Sequence, residues 1–78
     1  MTQNEKAYKL ALMLAVDATT EKKLKIALAM ASDLQSKITA ENGQKIREQI
    51  ELLVNAPAEI YSAVMLDLVA DLAPAIDA

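Results

Sequence analysis

The scarcity of helix breakers constrains this chain more than any other feature of its sequence. Its 78 residues contain one Gly and two Pro, against fifteen Ala and eleven Leu. Ala and Leu are among the strongest helix formers, whereas a β-rich chain needs more Val, Ile, Thr and turn residues. A length of 78 residues also suits one compact hydrophobic core. The sequence therefore predicts an all-α fold in a single helical domain, residues 1–78.

The first half of the chain contains two predicted helices. The first covers roughly residues 3–18, and the second runs from about 21 to 37. Between them, Thr19-Thr20-Glu21 supplies a hydroxyl that can accept a free backbone N–H and an acid that suits the helix dipole. An uninterrupted helix through both segments remains an alternative, because the break contains neither Gly nor Pro.

The second half contains two more predicted helices. The third begins either near residue 40, after Thr39, or near residue 44, after Asn42-Gly43, and it ends around Val54. The fourth opens at Asn55-Ala56-Pro57, because Pro is tolerated in a first turn, and it ends before Pro74.

Each predicted helix has one main apolar stripe when its residues are placed about 100° apart. These stripes consist of Tyr8, Ala11, Leu12 and Ala15; Leu24, Ala27, Leu28, Ala31, Leu34 and Ile38; Ile46, Ile50, Leu53 and Val54; and Tyr61, Met65, Leu68 and Leu72. Four such stripes on short connections predict a small antiparallel bundle of about four helices.

Residues 6–18 and 22–34 resemble each other. The matching pairs are Lys6 and Lys22, Lys9 and Lys25, Ala11 and Ala27, Leu12 and Leu28, Ala15 and Ala31, and Asp17 and Asp33. Two copies are fewer than a solenoid needs, so we interpret the similarity as a shared packing pattern.

The first two helices also have apolar side chains away from their main stripes, and the last two have one each. These six residues are the candidate interface: Leu10, Leu14, Ile26, Met30, Leu52 and Leu66. A helix that is apolar on two sides is expected to lie between neighbours, and a single small unit has few such positions. Apolar patches on a subunit commonly mark an interaction site. We therefore expect self-association, most simply as a homodimer.

The net charge of −3 is distributed unevenly along the chain. Residues 1–40 have a charge of +2 and residues 41–78 a charge of −5. Either the two halves attract each other within one bundle, or one half meets the opposite half of a neighbour. The only basic cluster, Lys22-Lys23-Lys25, is expected to be solvated and to pair with acids of the third or fourth helix. An acidic balance disfavours sequence-independent nucleic-acid binding and a membrane-surface role.

The residues needed for common catalytic and metal sites are missing. The chain has no Cys and no His, and its single Gly cannot build a phosphate-binding loop. The acid pairs Glu48/Glu51 and Asp67/Asp71 are typical of solvated helix faces. We therefore predict a non-enzyme with no catalytic residues, no metal and no cofactor. The absence of Cys and of an apolar run long enough to span a bilayer favours a soluble, cytoplasmic protein.

Two functional hypotheses follow from these observations. The first is a non-enzymatic helical protein-interaction module that binds, scaffolds or inhibits a protein partner and acts as a homo-oligomer. The alternative is a small-molecule or nucleotide-binding helical oligomer, with the ligand held between subunits near Lys22, Lys23 and Lys25.

Overall fold

A computed structural model describes the backbone of residues 1–77 and the side chains of residues 1–72. This part of the chain forms four helices, which confirms the predicted all-α bundle. The helices are α1 (Gln3–Asp17), α2 (Glu21–Gln35), α3 (Ala40–Val54) and α4 (Ala58–Asp77).

Threonine side chains cap the N-termini of the first three helices. Thr2 and Glu5 form a reciprocal capping box at the start of α1, with bonds of 3.1 Å and 2.7 Å. The hydroxyl of Thr20 accepts a 3.1 Å hydrogen bond from the Lys23 backbone N–H, and Thr20 and Ala18 have extended backbones. The predicted break between the first two helices is therefore confirmed, and the uninterrupted helix is excluded.

The start of α3 resolves a choice that the sequence left open. Thr39 accepts a 3.1 Å hydrogen bond from the Asn42 N–H, so the helix begins at Ala40. Gly43 lies inside the helix, is buried and has no positive φ. A Cβ on Gly43 would lie 3.3 Å from Nη1 of Arg47. Gly43 is therefore closely packed and does not form a left-handed turn.

The predicted end of the fourth helix is wrong. The helix continues through Pro74 to Asp77. Proline removes one backbone N–H from the helical ladder, and a helix can continue past a single missing bond.

The central helix of the fold is α1, which packs against α2, α3 and α4. One buried cluster joins Tyr8 and Ala11 to Ala31 and Ile46, and a second joins Met13 to Ile50 and Leu68. In contrast, α2 packs chiefly against α1. This arrangement leaves much of the α2 surface uncovered.

A single ion pair links the two oppositely charged halves of the chain within the described side chains. Lys6 Nζ on α1 lies 3.3 Å from Asp71 Oδ2 on α4. The other ion pairs described join residues four apart in one helix. The Lys6–Asp71 contact agrees with attraction between the halves inside one bundle.

Candidate interaction site

A groove runs between α1 and α2 near their connection. The helices approach each other through small buried residues of α2, Ala27 and Ala31. The groove, with a volume of about 330 Å³, is lined by Leu14, Asp17, Ala18, Thr19, Lys23, Ile26, Ala27 and Met30. We call this feature the α1/α2 groove. Its walls are mainly apolar, with one acid and one base among the lining residues.

Three of the six candidate interface residues meet in this groove. Leu14 is 40% exposed, Ile26 53% and Met30 46%. Their grouping was not evident from single helices, because Leu14 comes from α1 and the other two from α2. The fold therefore places three large apolar side chains side by side and half in solvent.

The other predicted residues on α3 and α4 lie elsewhere. Leu52 is 74% exposed and lines a shallow depression with Glu48, Glu51 and Asn55, while Leu66 is 68% exposed on α4. Neither lines the α1/α2 groove. The six candidates therefore do not form one continuous surface.

Leu10 differs from the other five candidates. It is half-buried and packs against the cluster of Met13, Ile50 and Leu68. The physical reason is the central position of α1, whose other sides are covered by α3 and α4. Leu10 is therefore mainly part of the core, and the expectation that it lies on a free outer face is wrong.

Three residues predicted to face the core are instead exposed. These residues are Leu24, Leu28 and Val54. For Leu24 and Leu28, the reason is that α2 has one principal neighbour, so only Ala27 and Ala31 of this helix are fully buried. Exposed apolar side chains therefore occur on both flanks of α2.

Two side-chain hydrogen bonds that the sequence did not reveal hold the helices around α1. Nη1 of Arg47 on α3 donates to the hydroxyl of Tyr8 at 2.9 Å. The hydroxyl of Tyr61 on α4 donates to the carbonyl oxygen of Met13 at 2.7 Å. The polar ends of the only two tyrosines could have suggested such partners, because the hydroxyl of a buried or half-buried tyrosine usually forms a hydrogen bond.

Met13 is a further residue that the sequence analysis missed. It is fully buried at the centre of the second cluster, although it lies beside the predicted stripe of α1. A wider apolar arc on α1, with Leu12 and Met13 adjacent, was the available signal. A helix surrounded by three others can bury more than one stripe.

The basic cluster on α2 divides between two sites. Lys23 lines the α1/α2 groove, whereas Lys22 and Lys25 line a neighbouring depression with Glu21 and Ile26. Lys25 Nζ lies 3.3 Å from Glu21 Oε1 of the same helix. The expected pairing of this cluster with acids of α3 or α4 is not found among the described side chains, because α2 lies away from those helices.

Local environment shifts the pKa of three groups. Burial raises the pKa of Tyr61 to about 12, and the nearby Asp17 carboxylate adds to the effect. The backbone N–H of Thr2 donates to Glu5 and lowers the pKa of that carboxyl group, despite opposing desolvation. Burial lowers the pKa of Lys9. Only Tyr61 among them is close to the groove, through its neighbour Asp17.

The described residues contain neither a metal-binding cluster nor a membrane-spanning helix. Among them, no three acidic side chains lie close enough to hold a metal ion. None of their helices combines the length and the hydropathy needed to cross a lipid bilayer. The α1/α2 groove remains the described feature that brings together three of the candidate interface residues, Leu14, Ile26 and Met30.

Comparisons with known proteins give no guide to function. No protein-family model matches the chain, and neither the curated proteins nor the solved structures include a significant match. Functional inference therefore depends on the groove, its neighbouring residues and their charges.

Proposed function

We propose that this protein is a non-enzymatic helical interaction module that forms a homodimer through the α1/α2 groove. The observation that supports this proposal is the grouping of Leu14, Ile26 and Met30, each about half exposed, in one groove. A second copy supplies the same apolar groups, as a two-fold interface requires. Binding, scaffolding or inhibition of another protein would then be the role of the assembled dimer.

The free energies of side-chain burial and of association predict a weak dimer. Complete burial of a large aliphatic side chain is worth about 1.5–3 kcal/mol, so burying the exposed half of each contributes about 1 kcal/mol. Three such side chains from each of two subunits then contribute about 6 kcal/mol. Association costs at least about 4 kcal/mol in lost translational and rotational freedom. The groove residues alone therefore favour association by about 2 kcal/mol. A millimolar dissociation constant corresponds to about 4 kcal/mol, so contacts around the groove must contribute about 2 kcal/mol more. With that contribution we expect a dissociation constant in the millimolar range.

The alternative, a bound small molecule or nucleotide, has one observation in its favour. The groove volume of about 330 Å³ lies at the lower end of ligand-binding cavities, and Lys23 lines it. Lys22 and Lys25 line the neighbouring depression, so the three lysines do not converge on one anion. We therefore rank ligand binding second.

A cytoplasmic location remains part of the leading proposal, because a chain without Cys needs no oxidising compartment.

Sedimentation equilibrium over a wide concentration range tests the proposal. The wild type is expected to shift from monomer to dimer as its concentration rises, and the double variant Leu14→Glu, Met30→Glu is expected to remain monomeric. The matched control is Leu52→Glu, Leu66→Glu, which changes two more exposed leucines outside the groove. A wild type that stays monomeric at millimolar concentration would refute the homodimer.

The same samples test the ligand alternative. ATP and ADP are suitable probes, because the lysines could bind their phosphates. A melting temperature that rises with nucleotide and falls back in Lys23→Gln would favour the alternative over the interaction module. Unchanged melting with both nucleotides would leave the interaction module as the better supported function.

A further inference from the structure

The flank of α2 beside the α1/α2 groove has a symmetric residue pattern. Placing residues about 100° apart aligns Lys23, Ile26, Met30 and Asp33 in one row. All four side chains are exposed, and the first three line the α1/α2 groove. We call this row the α2 seam. It has a base at one end, an acid at the other and two large apolar residues between them.

We infer that the α2 seam pairs with the α2 seam of a second copy, in antiparallel orientation about a two-fold axis level with Leu28. This inference depends on the proposed self-association and adds its orientation and register. Ile26 and Met30 lie equally far from Leu28 along the helix, as do Lys23 and Asp33. Antiparallel pairing therefore places Ile26 against the partner's Met30 and Lys23 against the partner's Asp33.

The spacing along the seam suits helix pairing. Its residues are separated by three, four and three positions, which is the repeat by which one helix packs its side chains between those of another. Two apolar residues at the centre with charged residues at the ends resemble the usual arrangement of an apolar interface core and a polar rim.

Charge distinguishes the two possible orientations. A parallel pair would place Lys23 against the partner's Lys23 and Asp33 against the partner's Asp33, and both contacts are repulsive. The antiparallel pair makes two attractive contacts instead. Both groups are accessible for this purpose: Lys23 has no ion pair among the described side chains, and Asp33 has only an exposed 3.4 Å contact with Lys37.

The opposite flank of α2 lacks such complementarity. Leu24 and Leu28 are also exposed there. Antiparallel pairing of this flank with the same flank of a second copy would place the two-fold axis level with Ile26, midway between the two leucines. The next residues outward on that flank are Glu21 and Ala31, and Ala31 is buried against α1. That flank therefore has no pair of opposite charges at its ends.

Charge reversal tests the register by sedimentation. Lys23→Glu alone and Asp33→Lys alone are each expected to raise the dissociation constant about tenfold or more, because each creates two repulsive contacts in the homodimer. The double variant Lys23→Glu, Asp33→Lys is expected to restore wild-type affinity. An equimolar mixture of the two single variants is expected to form a heterodimer more readily than either forms a homodimer.

A matched pair of substitutions tests which flank of α2 is used. Met30 and Leu28 lie on opposite flanks and are 46% and 49% exposed. Met30→Glu is expected to abolish dimerisation, and Leu28→Glu to leave it unchanged. Far-UV circular dichroism and a cooperative melt identify any variant that fails to fold.

The outcomes separate the inference from the function on which it rests. Disruption by Leu28→Glu but not by Met30→Glu would overturn the α2 seam while leaving self-association intact. Single charge reversals without effect, or a double variant that stays weak, would overturn the antiparallel register. A wild type that never dimerises would remove both the homodimer and the seam.

Discussion

The hydroxyl of Tyr61 lies 2.7 Å from the carbonyl oxygen of Met13 and joins the start of α4 to the central helix. Met13 of α1 is itself fully buried against Ile50 of α3 and Leu68 of α4. One half-buried phenol therefore fixes the position of α4 beside the second core cluster.

Removing this hydrogen bond is expected to destabilise the protein. Tyr61→Phe keeps the ring in the cluster but removes the donor to Met13, and the expected loss is about 1 kcal/mol in the free energy of unfolding. Chemical denaturation followed by circular dichroism measures the change. Ser62→Ala is the control, because its exposed side chain lies next to Tyr61 on the same helix. Equal stabilities for wild type and Tyr61→Phe would contradict the predicted contribution.

Alkaline titration should reveal the environment of Tyr61. Tyr8→Phe leaves Tyr61 as the only phenol, and its phenolate absorbance is expected to appear with a midpoint near pH 12 because burial raises the pKa of Tyr61 to about 12. An exposed tyrosine ionises near pH 10, at about its ordinary value. A midpoint near 10 while the helical signal remains native would contradict this prediction.

The same shift predicts how stability changes with pH. Between about pH 10 and pH 12 the unfolded chain has lost the Tyr61 proton and the folded chain retains it. The stabilising contribution of Tyr61 is therefore complete below about pH 10 and decreases as the pH rises toward 12. Tyr61→Phe should flatten this part of the stability profile. Parallel profiles for the wild type and Tyr61→Phe would show that other groups dominate the alkaline response.

Gly43→Ala is expected to stabilise the protein. Alanine is favoured over glycine in a helix by about 1 kcal/mol, and Gly43 has no positive φ that would oppose the change. The new Cβ would lie 3.3 Å from Nη1 of Arg47, the far end of a flexible side chain that can move slightly. A net gain of about 0.5 kcal/mol is expected in chemical denaturation. A loss of stability would mean that the Arg47–Tyr8 hydrogen bond cannot accommodate the shift.

Adjacent threonines provide a matched test of helix capping. Thr20 accepts a hydrogen bond from the Lys23 N–H, so Thr20→Ala is expected to cost about 1 kcal/mol. Thr19 is exposed and one residue further from α2, so Thr19→Ala should change stability by less than about 0.5 kcal/mol. Thermal melts of the two variants provide the comparison. A larger loss for Thr19→Ala would place the functional cap one residue earlier.

The exposure of five of the six candidate interface residues could be predicted from the sequence, and three of these five line one groove. Leu14, Ile26 and Met30 lie off the main stripes, and that helical geometry is local and readable from spacing alone. Their meeting in one groove was not predictable, because it depends on how α1 and α2 pack together. Packing of α3 and α4 against α1 buried part of Leu10, which has an equivalent pattern in its own helix.

The similar segments 6–18 and 22–34 show where sequence information ends. The threonine caps and helical repeat were determined by the sequence, because each depends on hydrogen bonds and spacings within about four residues. Yet Leu12 in α1 is half-buried, whereas its counterpart Leu28 in α2 is exposed. Only the tertiary structure decided this difference: α1 has three helices around it, while α2 has one principal neighbour. Burial depends on how many surfaces close over a side chain, and residues distant in the sequence supply those surfaces.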